Sequence, residues 1–401
     1  MTATVLASGG SVNLPDPLID TWALTVYNPL EMWKLNPCFV AGEALFYILG
    51  ILTFAHACVN RKSQPSNPVT LWIGCFLGGS AVEFFTSLHP QIDNALHSQA
   101  CIVLTGRIVA LYPLLGLYGA LQYMSLQLAF SFSTSRSETF LSKIGFGLIA
   151  GLIGHVLYEL LDATGTYFLW WTWHEGDPAY LSRRAGVPLS SGFWIYAQIA
   201  SLGLVYAFTR YRTPLLFIFS SIFVMPVLFV IPFVLLFHPL DELYGQAQLA
   251  TYIVVSASIV ALLAILRHNK PATMSTLGLA WLYVFLMAAV WTTLHDTAGS
   301  NLRYSYGQPF ANRDCRGEME VVGWGTIKRE RYLCPVKVDE DVSFTLECLE
   351  TYPADESEWY WVCGKDVTHE AKYEILLRFV KAVVLLLFLG LFTKSSKKKS
   401  E

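Results

Sequence analysis

Three ionisable residues stand where a bilayer would be crossed: His155, Glu159 and Asp162, inside the apolar run from Gly145 to Asp177. On a helix they fall at i, i+4 and i+7 and share one face. A charged group at the bilayer centre costs about 2.5–3.5 kcal/mol on insertion scales, so a face carrying three such groups must look into protein or water. Two carboxylates and an imidazole in that setting are the groups of general acid/base chemistry. Glu159 and Asp162 are expected to form the acid/base pair, with His155 orienting or relaying a proton. Arg107 is the natural counter-ion, and burial together with Arg107 is expected to separate the proton affinities of the two carboxylates. Glu43 and Glu83, each about one turn inside a predicted span, complete the expected pocket.

A second cluster follows at once. The segment WTWHEGDPAYLSRRAGVP places His174, Glu175, Asp177, Arg183 and Arg184 in a short loop above the triad. His174, Asp177, Arg183, Trp170 and Trp173 are expected to contact substrate at the pocket mouth. Trp170, Trp171 and Trp173 read first as interfacial belt residues, although a tryptophan wall can also cover a carbocation or a flat lipid ring. Four predicted spans running in one direction end in a histidine followed closely by an acid: His89 with Asp93, His174 with Asp177, His238 with Asp241, and His295 with Asp296. These read as capping and stop residues. Convergence of His89, His174, His238 and His295 on a metal is the lesser alternative, and no metal or cofactor is assigned.

The elements that must position these groups are transmembrane helices. Hydrophobic residues make up 54% of the 401-residue chain and charged residues 14%, with a mean hydropathy of +0.45. That is too apolar for an ordinary soluble domain and fits a multi-pass, all-α membrane protein. A span needs about 20 apolar residues, and nine stretches qualify: 38–59, 69–88, 101–129, 144–173, 190–209, 214–237, 246–266, 275–294 and 374–393. Residues 1–37 carry no basic n-region or small-residue cleavage site, so no cleavable signal peptide is expected. Arg61 and Lys62, Arg136 and Lys143, Arg210 and Arg212, and Arg267 and Lys270 fall on one side, which the positive-inside rule makes cytosolic. The N-terminus is then lumenal. Arg183 and Arg184 dissent and need a partner or a function.

The expected domains are a lumenal segment 1–37, an eight-helix core 38–294, a lumenal region 295–373, a final span 374–393 and a cytosolic tail 394–401. The region 295–373 holds Cys315, Cys334, Cys348 and Cys363 and alternates in short runs such as EWYWVC, the pattern of strands. Four cysteines on an oxidising side read as two disulfides in a small β-rich domain, with three connectivities open. Zinc is the lesser reading, because no C-x2-C pair is present. The chain closes with TKSSKKKSE, where Lys398 and Lys399 hold the spacing that resembles a dilysine retrieval signal of endoplasmic reticulum membrane proteins. That implies coat machinery as a partner.

No phosphate-binding glycine loop is present, which leaves nucleotide-driven chemistry without a foothold, and nucleic acid is not an expected partner. Carboxylates among aromatic residues in a helical bundle are similar in general style to membrane enzymes of isoprenoid and sterol metabolism. The expected function is an endoplasmic reticulum enzyme acting on a lipophilic substrate by isomerisation, cyclisation or hydrolysis. A proton- or cation-coupled transporter and a non-catalytic receptor or assembly factor are the alternatives. Against a transporter stands the lack of a visible broken helix, with Pro226 and Pro232 as the contrary signs.

Overall fold

The structure is a computed structural model. It describes residues 13–61, 67–89, 95–132, 139–184, 186–209, 213–265, 274–300, 302–311, 317–322, 327–334, 344–365 and 368–395.

Helix starts are written into the sequence by a capping side chain followed by proline, whose missing N–H is not needed in the first turn. After strands β1 (Ile19–Asp20) and β2 (Leu24–Val26), Asn28 caps α1 (Pro29–Leu35) and Asn36 caps α2 (Pro37–Asn60). Asn67 caps α3 (Pro68–Ser87) in the same way. Short strands β3 (Leu96–His97), β4 (Ile102–Leu104) and β5 (Val109–Ala110) come next. The chain then runs through α4 (Leu111–Pro113), a π-helical stretch Leu114–Gln122 and α5 (Tyr123–Ala129). The predicted span 101–129 therefore begins ten residues late. Thr105, Gly106 and Arg107 all have positive φ, 47°, 66° and 70°, which makes a turn and forbids a helix there. The β-branched residues on either side pair as β4 and β5 in a four-stranded sheet ordered β1-β2-β4-β5.

Helix α6 (Phe140–Tyr167) ends before the tryptophans. β6 (Trp171–Thr172) then pairs antiparallel with β3. After α7 (Pro178–Leu181) and the β7 (Arg183–Arg184) and β8 (Val187–Pro188) hairpin comes α8 (Leu189–Thr209). The predicted span 214–237 is broken into α9 (Pro214–Phe223), α10 (Met225–Pro232) and π turns at Phe233–Phe237 and Pro239–Leu243. Pro226 and Pro232 lack the N–H that an uninterrupted helix needs. The sequence expectation of no broken helix is thus corrected. Helices α11 (Ala247–Ile265) and α12 (Met274–Leu294) complete this part.

Among the described residues, seven helices are long and apolar enough to cross a membrane. Helices α6 and α8 pack closest. A Cβ at Gly147 would stand 2.8 Å from the Ala200 carbonyl oxygen, and one at Gly151 would touch Tyr196 and Ala200, so the G-x-x-x-G spacing serves close helix approach.

The last polar segment is β-rich. Strands β9 (Leu302–Tyr306), β10 (Met319–Val322), β11 (Ile327–Glu330), β12 (Phe344–Thr345) and β13 (Trp359–Gly364) form a β10–β11 hairpin and a sheet ordered β12-β13-β9. Phe310, Leu333, Phe344, Leu346, Tyr360 and Val362 share one apolar core with Leu169, which follows α6, so the strands rest on the bundle. Cys348 and Cys363 form a disulfide. Cys334 is disulfide-bonded too, and Cys315 lies outside the described residues. Replacing Cys348 and Cys363 together by alanine is expected to destabilise this region by about 3 kcal/mol, the loop-closure value for a link of this length. Thermal unfolding with and without a reductant checks it: reductant should lower the wild-type midpoint and move the double variant less. The chain ends in α13 (His369–Ser395).

Candidate functional site

Five helical segments and two strands bring buried polar side chains close together at the strand-bearing end of the bundle. Glu83 of α3 is 2% exposed. Its carboxylate accepts from the Tyr118 hydroxyl at 2.6 Å, from His97 Nε2 at 3.1 Å and from the Ser87 hydroxyl at 3.3 Å. His97 Nδ1 meets the Tyr112 hydroxyl at 2.8 Å, and that hydroxyl donates to the Trp170 carbonyl oxygen at 3.0 Å. Tyr118 sits in the π-helical stretch, a form of helix that recurs at functional sites. Gly79 lies against its ring so closely that any Cβ there would overlap it.

Asp162 of α6 is 1% exposed. Its Oδ1 accepts from Trp171 Nε1 at 2.9 Å, while Oδ2 is buried with no hydrogen-bond partner. Tyr158, one turn earlier, meets the Ser191 hydroxyl of α8 at 3.1 Å. Tyr158 lies within electrostatic range of both Asp162 and Glu83, and Tyr118 within range of Tyr158 and Tyr112. The Trp171 ring stands 6.2 Å from that of His97. Glu83 thus gathers Tyr118, His97 and Ser87, Asp162 is held separately by Trp171, and Tyr158 is in electrostatic range of both acids. His97 Nε2 and Glu83 Oε1 can hold a proton on either side, so donor and acceptor roles there exchange without displacing heavy atoms.

The other expected site residues divide sharply. Glu43 binds the backbone: it accepts from the N–H groups of Cys101 and Ile102 at 2.9 and 3.3 Å and from the Tyr47 hydroxyl at 2.7 Å, so it ties α2 to β4. Arg107 is not in a span and pairs with Asp20 at 2.6 Å on the surface. The Asp20 carboxyl is held below its usual range by that hydrogen bond, so Arg107 is a counter-ion for Asp20 and not for the buried acids. Glu159 leaves the shared face as well. It binds Lys381 of α13 at 2.9 Å and lies 3.5 Å from His155 Nε2, while His155 Nδ1 meets the Gly192 carbonyl at 3.0 Å. Glu159 and Asp162 thus have different partners, Lys381 with His155 for the first and Trp171 for the second.

The loop after α6 finds internal partners. Arg183 pairs with Glu175 at 3.0 Å and Arg184 with Glu374 at 2.7 Å, which accounts for both dissenting arginines. Asp177 caps α7 through the Ala179 N–H at 2.8 Å and faces Arg329 at 3.4 Å. Trp170, Trp171 and Trp173 are buried, not a surface belt; Trp170 Nε1 donates to the Cys38 carbonyl at 3.0 Å. His89 bonds the Phe85 carbonyl, His238 pairs with Glu242 and His295 with Asp296. Among the described residues no three His, Cys, Asp or Glu side chains are placed to hold a metal ion.

His174 is buried, and its Nδ1 accepts from the Gly176 N–H at 3.2 Å. Burial, and after it the charge of Arg329, holds its pKa well below the usual histidine range. The folded state keeps the ring neutral while the unfolded chain takes a proton near pH 6.5. Stability from this group is present above about pH 6.5 and is lost as pH falls below it. His174→Gln is expected to flatten the fall in the unfolding midpoint between neutral and acid pH, as thermal scans across that range would show.

His97, Tyr112, Tyr118 and Tyr158 carried no sequence signal. Glu374, Arg378 and Lys381 did: their i, i+4, i+7 spacing on α13 mirrors that of His155, Glu159 and Asp162. Arg378 binds Glu374 at 3.1 Å.

No curated protein and no solved structure matches the chain. Residues 17–393 match the model of the family described as "Domain of unknown function (DUF7802)", and the chain belongs to that family.

Proposed function

We propose that the protein is an endoplasmic reticulum membrane enzyme that moves protons on a lipophilic substrate, with Glu83 and Asp162 as the acid/base pair. The observation that carries this reading is Asp162, a carboxyl 1% exposed, held by Trp171 and with Tyr158 and Ser191 as its other polar neighbours. Tyr118 bonds Glu83 and Tyr158 stands one turn from Asp162, and His97 can exchange a proton with Glu83. Isomerisation, cyclisation and hydrolysis all need such a pair. A lipid would enter sideways between helices.

The N-terminus is lumenal and the C-terminus cytosolic in this reading. The Cys348–Cys363 disulfide supports an oxidising environment at that end. Lys398 and Lys399, outside the described residues, serve retrieval by coat machinery. Untargeted lipid mass spectrometry on membranes expressing wild type or Asp162→Asn at equal level tests the proposal. A lipid that changes with wild type alone supports it, and identical lipid profiles in both count against it.

A proton- or cation-coupled transporter is the second reading, favoured by the interrupted stretch 214–243. Flux across vesicles that depends on Asp162, with no lipid converted, would select it. A receptor or assembly factor would need Glu83 and Asp162 only for folding.

A further inference from the structure

Arg303 of β9 is 2% exposed. Its Nη2 donates to the carbonyl oxygens of Leu96 at 3.2 Å and Trp170 at 3.0 Å, while Nε and Nη1 are buried with no acceptor. No Asp or Glu among the described residues pairs with it, and Tyr112 is the ionisable neighbour that acts on its charge. The other buried arginines are different: Arg329 faces Asp177 and Glu320, and Arg378 faces Glu374. A guanidinium keeps its proton, and burying one without a counter-charge is costly. Burial lowers the Arg303 pKa only to about 9, which leaves it cationic at neutral pH.

The surroundings offer more unspent donors. Gln99 is buried with Nε2 unpartnered, and its backbone N–H bonds the carbonyl of Tyr304, the next residue after Arg303. A narrow cleft lined by Leu96, Trp173, Ser305, Gln308 and Tyr360 lies nearby, with neither Arg303 nor Gln99 in its lining. Leu96 is the residue whose carbonyl holds Arg303, and Ser305 lies two residues along the same strand, on the same face. The Trp170 carbonyl that accepts from Arg303 also accepts from Tyr112, so this point is wired through His97 to Glu83.

We propose that Arg303 is the anchor for an anionic head group, a phosphate or a carboxylate, on the substrate of the Glu83–Asp162 site. This rests on the enzyme reading above and narrows its substrate class to acidic lipids. The anion supplies the counter-charge that the chain lacks and accepts from Nε, Nη1 and Gln99. The lipophilic remainder then extends toward Glu83 and Asp162.

The test uses full-length protein in phosphatidylcholine nanodiscs. Dioleoyl phosphatidic acid and oleate are the lipid probes, inorganic phosphate and acetate the soluble ones. The expected result is a rise in the unfolding midpoint that grows with the logarithm of anion concentration. Protection by the lipid probes alone assigns a lipid head group; protection by phosphate or acetate alone assigns a free anion and overturns the lipid assignment. Arg303→Met is expected to be as stable as wild type without anion, because it removes an unpaired buried charge. It should bind the anion at least about tenfold more weakly. Arg303→Lys should retain part of the response.

Absence of protection of wild type by any probe would overturn the proposal, and so would an Arg303→Met variant protected as strongly as wild type. So would an Arg303→Met variant that unfolds earlier without anion and is restored by lysine, since Arg303 would then be structural. Anion protection combined with a Glu83→Gln variant that still converts lipid would keep the anion site and remove the acid/base reading. Glu83-dependent conversion without protection would do the reverse.

Discussion

Asp162→Asn is expected to abolish the proposed chemistry while leaving the bundle folded. The amide keeps an oxygen to accept from Trp171 Nε1, now made at 2.9 Å, and it removes the charge from a carboxylate whose second oxygen has no partner. Removing an uncompensated buried charge is neutral or stabilising, so the unfolding midpoint should stay or rise. Loss of a general acid or base costs about 10²–10⁴-fold in rate. Glu83→Gln is expected to be equally inactive and less stable, because an amide N–H₂ then faces Tyr118 or His97 where a carboxylate accepted from both. A buried group left unsatisfied costs about 1–3 kcal/mol. Activity and unfolding measured on the same preparations check both. A fully active Asp162→Asn, or one that does not fold, would remove Asp162 from the chemistry.

The largest effect on stability is expected from Trp170→Ala, at about 3–5 kcal/mol. Trp170 is fully buried. Its ring centroid lies 5.8 Å from that of Phe46 and 6.0 Å from those of Phe168 and Trp171, and Gly42 lies so close that a Cβ there would overlap the indole. Truncation would leave a large cavity and strip the Cys38 carbonyl of its indole donor. Trp170→Phe should fill part of the space and cost less. An interfacial belt tryptophan would instead lose under about 1 kcal/mol. Equilibrium unfolding of the two variants in detergent separates these outcomes.

Trp170 also shows where the sequence stops being informative. The apolar count predicted nine spans where seven helices among the described residues are long and apolar enough to cross a membrane, and the Asn-Pro and Thr-Pro starts set first turns. The run WWTWH, however, has the composition of a belt, and only the tertiary pairing of β3 with β6 turns it inward. Hydropathy likewise extended span three over CIVLTGRIVA, because a window sums apolarity and ignores the positive φ of Thr105, Gly106 and Arg107. That error placed Arg107 among the buried acids.

The candidate site was half legible. Glu83 and Asp162 stood out because buried acids are expensive. Glu159 shared the helical face with Asp162, yet it turns to Lys381, a partner 222 residues away. Tyr118 and Tyr158 are two among 20 tyrosines, with no spacing to mark them. His97 lies in a polar loop whose return to Glu83 depends on the β3–β6 pairing.

The most direct test is conversion of lipid by the purified protein in vesicles made from the membranes in which it is expressed. Wild type, Asp162→Asn, Glu83→Gln and Lys381→Met would be compared at matched folded concentration. The predicted result is conversion by wild type and Lys381→Met, with Asp162→Asn and Glu83→Gln reduced by about 10²-fold or more. Conversion at the wild-type rate by Asp162→Asn and Glu83→Gln would contradict it.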